Sequence, residues 1–95
     1  MKVHYRDRAL ADLDEIFQYI DMRSPSGARN VIDAIHTAIT AIAEHPLSAE
    51  RTSYLGIHVK IVRRYRYKIF YRVGDGQIEI LHVRHGARRP WSPEK

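Results

Sequence analysis

The sequence predicts an α+β domain in which a short N-terminal strand and an antiparallel helical hairpin pack on a mainly antiparallel sheet, in the order β-α-α-β-β-β. Three observations carry this. Two stretches of apolar residues at three- and four-residue steps follow one another with only a few residues between them. Three stretches with strand-like patterning come after them. Gly74-Asp75-Gly76 separates the last two, as in a tight hairpin. A chain of 95 residues allows one domain, spanning residues 1–95, near the low end of what a single core can hold together.

The elements follow in order. From Lys2 to Arg6, Val3 and Tyr5 alternate with His4 and Arg6, which fits a first strand. Asp7 can cap a helix whose apolar face is Leu10, Leu13, Ile16, Phe17 and Ile20. Ser24 followed by Pro25 restarts a helix, with Ala28, Val31, Ile32, Ile35, Ala38, Ile39 and Ile42 as its stripe, and Pro46 stops it. Many of these residues are β-branched, so packing on a sheet rather than intrinsic propensity must hold that helix. Leu47 to Leu55 reads as a loop. Ile57, Val59 and Ile61 alternate with His58 and Lys60 in a further strand, and Arg63-Arg64 turns into the hairpin.

In the first hairpin strand Tyr65, Tyr67, Ile69, Tyr71 and Val73 share one parity; Arg66, Lys68 and Arg72 share the other, broken only by Phe70. The returning strand, Gln77 to His85, is apolar on both parities. It is therefore covered on both sides and central to its sheet, or it carries a bulge.

With 44% hydrophobic and 28% charged residues, this is a folding chain rather than a disordered one. The absence of cysteine excludes disulfides and thiolate metal sites. No signal peptide and no membrane-spanning run is visible, so a cytoplasmic protein without a membrane partner is expected. Residues 1–50 hold 5 Lys and Arg against 8 Asp and Glu, a net of −3; residues 51–95 hold 11 against 3, a net of +8. The positive half points to a polyanion or an acidic protein as partner.

Arg63, Arg64, Arg66 and Arg72 can serve as phosphate contacts or as an ordinary solvated strand face. Tyrosines 65, 67 and 71 have the parity of core residues rather than of a stacking platform. His82 and His85, three apart on a strand, point to opposite faces, so no metal site and no cofactor is expected. His82 shares parity with Ile78 and Ile80 and should pack inside. Asp12 and Glu15 read as helix-surface charges. There is no phosphate loop, nucleophile triad or paired-carboxylate signature.

The element order, the stretch from Ala11 to Ile20, the helix end Ala43-Glu44-His45-Pro46, and the strands Tyr67 to Val73 and Ile78 to Arg88 together resemble the RelE/ParE toxins of bacterial type II toxin–antitoxin modules. The resemblance spans nearly the whole chain and is closer to the ParE, or plasmid-stabilisation, branch. It implies a growth-arresting toxin that inhibits DNA gyrase by protein–protein contact and is neutralised by an acidic antitoxin from the same operon. The RelE branch implies instead an endonuclease that cuts mRNA on the ribosome. RelE-type ribonucleases typically carry an arginine where this chain has Lys68, and they commonly end in a tail with a catalytic tyrosine or histidine, whereas no tyrosine follows Tyr71 here. An RNA-cutting site would have to draw on Lys68, Arg84, His85 and Arg88.

For the gyrase reading no residue is catalytic. The target surface is Lys60, Arg63, Arg64, Arg66, Lys68, Arg84, His85, Arg88 and Arg89, and the antitoxin surface is Leu10, Leu13, Phe17, Ile20, Ile35 and Ile39. A basic nucleic-acid-binding module unrelated to toxicity is the third reading.

Overall fold

The computed structural model describes residues 1–47, 49–52 and 54–86. The elements are β1 (Lys2–Tyr5), α1 (Asp7–Asp21), α2 (Pro25–Glu44), β2 (Glu50–Arg51), β3 (Ile57–Val62), β4 (Tyr67–Gly74) and β5 (Gln77–His85). The order matches the α+β expectation, with one addition. The stretch read as a loop contains β2, whose two residues pair antiparallel with Val59 and His58. So short a strand has no sequence period; it exists because the edge of β3 offers it hydrogen bonds.

Each helix begins for a local reason. Arg6 is the extended residue before α1 and makes no side-chain cap, so Asp7 is not the cap but lies in the first turn, where its charge complements the helix dipole. At α2 the Ser24 hydroxyl accepts a hydrogen bond from the Gly27 amide at 3.1 Å, with Pro25 opening the helix as expected. His45, ahead of Pro46, leaves the helical region and ends α2.

The sheet runs β1-β5-β4-β3-β2, with β1 parallel to β5 and all other pairs antiparallel. The connection from β4 to β5 is the two residues Asp75 and Gly76, and only Gly76 takes a positive φ, at 67°; Gly74 belongs to β4 and pairs with Gln77. β5 lies between β1 and β4 and also carries a bulge. Phe70 pairs with His82 and Tyr71 with Ile80, which leaves Leu81 without a partner across the ladder.

The bulge explains why β5 is apolar on both parities. Ile78, Ile80 and Val83 all join the helix-side core with Ile69, Tyr71, Val31, Ile35, Ile39 and Ile42. Leu81 instead packs with Ile57 and Phe70 in a second cluster. Phe70, which broke the polar parity of β4, thus belongs to a small core of its own. Tyr67 and Tyr71 are buried and Tyr65 packs partly buried against the main core, so none of the three is a free platform. The Tyr71 hydroxyl donates to the Pro46 carbonyl at 2.6 Å and ties the end of α2 to the sheet. No helix among the described residues is long and apolar enough to cross a membrane.

Candidate functional site

Cations collect where β3, β4 and β5 end together. Arg63-Arg64-Tyr65-Arg66 links β3 to β4, closed by a hydrogen bond from the Arg66 amide to the Arg63 carbonyl at 3.3 Å. Arg66 holds φ at 61°, a conformation that costs a residue with a side chain free energy and that the surrounding fold must impose. Its effect is visible in the next contact, because the Arg66 carbonyl accepts the Gly86 amide at 2.6 Å. A Cβ at Gly86 would stand 3.0 Å from that carbonyl oxygen, so glycine permits this close approach. The cationic turn is thereby fastened to the end of β5.

Between them lies an open cleft of about 340 Å³ lined by Ile61, Arg63, Arg66, Lys68 and Gly86. Lys68 pairs across the ladders with Ile61 on one side and Arg84 on the other, so these three share one face of the sheet. Among the described residues no ion pair involves Arg63, Arg66 or Lys68; Glu79, the acid of β5, is engaged by Arg6 at 3.2 Å and Arg72 at 3.9 Å. Arg64 leans over the Tyr65 ring, its guanidinium carbon 5.4 Å from the ring centre.

The other sequence-predicted cations lie elsewhere. Lys60 pairs with Ile69 and His85 with Tyr67, both on the helix side of the sheet by strand alternation. The His85 ring meets Tyr67 edge-on at 5.3 Å. The fold therefore brings Lys68 and Arg84 together and sends His85 to the opposite face. Arg88 and Arg89 lie outside the described residues.

The residues proposed for a helix-side partner also divide. Ile35 and Ile39 are corrected outright: at 1% and 3% exposure they are buried in the chain's own core and have no surface to offer. Leu13 and Ile20 are partly buried against that core. Leu10 and Phe17, at 52% and 40% exposed, form an open apolar flank on α1. The sheet accepts the arc of α1 around Ala9, Leu13, Ile16 and Ile20, and Leu10 and Phe17 fall just past its rim.

Asp12 is the residue that sequence reasoning missed. It is buried rather than a surface charge. One carboxylate oxygen accepts from the Val83 amide at 3.0 Å and stands 2.6 Å from His82 Nδ1; the other accepts from Arg8 Nε at 3.1 Å. The His82 ring, also buried, stacks on Phe70 with centroids 6.0 Å apart. Burial pushes the Asp12 carboxyl up, but the hydrogen bonds from His82 and the Val83 amide, the His82 charge and Arg8 outweigh it and hold it below the ordinary aspartate value. The available signal was position: Asp12 lies three residues after Ala9 and four before Ile16, on the arc that faces the sheet.

A helical hairpin on one face of a mainly antiparallel sheet, in the order β-α-α-β-β-β with a short added strand, is the fold of the RelE/ParE toxins. The chain belongs to the ParE toxin family of type II toxin–antitoxin systems, whose family model matches residues 3–90. Y4kP of Sinorhizobium fredii, named as a toxin, is 34% identical over 90 residues, covering 95% of this chain and 92% of that protein. Toxin RelE2 of Caulobacter vibrioides is 36% identical over 81 residues, covering 85% and 90%. In fold the chain is similar to a protein of the chromosomal ParDE system of P. aeruginosa, with a TM-score of 0.79 at 22% identity over 90% of this chain and 95% of that one. It is also similar to a chain of the E. coli RelBE toxin–antitoxin complex, with a TM-score of 0.66 at 13% identity over 92% and 98%.

Proposed function

We propose that this toxin arrests growth by binding DNA gyrase through its basic sheet end, without chemistry of its own, and that an acidic antitoxin from the same operon holds it inactive. The observation that carries this reading is the division of the basic residues. Lys68 and Arg84 share a face with the cleft, while His85 lies on the other face against Tyr67. Cutting RNA through its 2′-hydroxyl needs a base and an acid within hydrogen-bond reach of the phosphodiester that the cations hold. Among the described residues no histidine or carboxylate lines the cleft. A surface of this kind suits binding. The antitoxin partner is supported by family membership and by structural neighbours that are themselves toxin–antitoxin complexes. Leu10 and Phe17 suit an amphipathic antitoxin helix and the cleft suits its acidic part.

The second reading, ribosome-dependent mRNA cleavage using Lys68, Arg84, His85 and Arg88, is favoured by the likeness to Toxin RelE2. The two separate in one comparison. Purified toxin is added to a gyrase supercoiling reaction and, in parallel, to translating ribosomes. Loss of supercoiling or trapped cleaved DNA, with intact mRNA, is the expected result. Codon-spaced mRNA cuts with normal supercoiling would replace gyrase inhibition by the ribonuclease reading.

A further inference from the structure

We propose that Asp12 is a positioning residue for the basic end of β5, gripping the strand from α1 at residues 82 and 83 and so setting where Arg84 and His85 are presented. The inference rests on the reading that this end contacts the target. It starts from the edge of β5. β1 stops at Tyr5, which pairs with Ile80, and the Arg6 amide makes the last contact on that side, to the Ile80 carbonyl at 3.0 Å. Among the described residues, β5 has no strand neighbour on its β1 side beyond this point, yet it continues to His85. The bulge at Leu81 falls in the same place, where a strand most easily bends or changes register.

Asp12 supplies what the missing strand would. Its carboxylate takes the buried Val83 amide at 3.0 Å and the His82 ring nitrogen at 2.6 Å on the same oxygen. One charged side chain therefore fixes a backbone group and a side chain of consecutive residues, just after the bulge and just before Arg84. Arg8 holds the second oxygen at 3.1 Å, so the carboxylate is itself oriented. At the far end of the segment, the Gly86 amide is held by the Arg66 carbonyl at 2.6 Å. Arg84 and His85 lie between these two anchors. The ladder to β4 sets their register, Arg84 opposite Lys68 and His85 opposite Tyr67, and the two anchors hold the strand on either side of them. Because Asp12 rides on the helix that carries Leu10 and Phe17, displacement of α1 would move the basic end as well.

The test uses full-length chain with Asp12→Ala, Asp12→Asn and Arg84→Glu. Asn keeps an oxygen for the Val83 amide; Ala does not. In Asp12→Ala, exchange of the Val83 amide is expected to speed by about tenfold or more. The amide signals of Arg84, His85 and Gly86 should shift while those of α2 and β3 stay in place. Growth arrest, compared at equal soluble toxin, should weaken in Asp12→Ala and largely return in Asp12→Asn. A purely structural role would lower the soluble yield and leave arrest per folded molecule unchanged. If Asp12→Ala does not fold, the native protein decides: a Val83 amide exchanging as fast as an open strand edge overturns the proposal. Full arrest by Asp12→Ala, with Arg84→Glu inactive, also overturns it. Full arrest by Arg84→Glu would instead reject the basic end as target contact, while the exchange and shift results still report on the clamp.

Discussion

At Asp12, burial and hydrogen bonding pull the carboxyl in opposite directions, and hydrogen bonding wins. A carboxyl whose folded value lies below its unfolded one contributes stability that is present above the unfolded value and is lost as pH falls through the folded value. For an ordinary aspartate the upper bound of that window is about pH 4. The stability difference between the native protein and Asp12→Asn should therefore shrink as pH falls below about 4. Thermal unfolding of both proteins across that range measures it. A difference that stays constant down to about pH 3 would mean that the charge of Asp12 contributes nothing. His82 owes its burial to the same pair. Parity with Ile78 and Ile80 predicts burial but for the wrong reason, since the bulge at Leu81 breaks that parity and it is Val83 that rejoins the helix-side core.

Among the elements, α2 was the most legible. Its stripe of Val31, Ile35, Ile39 and Ile42 is the buried face, because a helix lying across a sheet buries a contiguous arc. The first helix was less so. Counting only apolar residues makes Leu10 and Phe17 part of its inner face, whereas the sheet takes the neighbouring arc and leaves them open. The cleft was hidden for a different reason. Arg63-Arg64-Tyr65-Arg66 contains no glycine or asparagine to announce a positive φ, and the closure onto Gly86 depends on that one dihedral. The flank of α1 yields a test at this scale. Replacing Leu10 and Phe17 together by Lys should cost no more than about 3 kcal/mol, because each is only about half buried. Affinity for the antitoxin should fall by more than about tenfold, since desolvated apolar anchors dominate helix-in-groove binding. Thermal unfolding and titration with the antitoxin report the two quantities separately. Unchanged affinity would move the antitoxin's helix away from α1.

For the whole molecule the relevant quantity is the distribution of charge. The net is −3 before residue 51 and +8 from there on, and the residues that line the cleft all belong to the positive half of the sequence. Arg63 and Arg66 are exposed, and Arg63, Arg66 and Lys68 have no ion pair among the described residues, so their field reaches solvent instead of being spent inside the fold. Such a field acts mainly on encounter: it raises the association rate with an acidic partner and is screened over a Debye length of about 10 Å at 0.1 M salt. Apolar contact along α1 acts mainly on dissociation and responds little to salt. The two surfaces should thus separate kinetically. Reversing Arg63 and Lys68 to Glu should slow association with the antitoxin by about tenfold at low salt and flatten its salt dependence, with a smaller change in dissociation. The Leu10 and Phe17 double variant should do the converse, speeding dissociation with the salt dependence kept. Stopped-flow binding at two ionic strengths distinguishes these patterns. An association rate of the charge-reversed toxin that matches the native rate and still falls with salt would place the acidic half of the antitoxin on some other cationic surface.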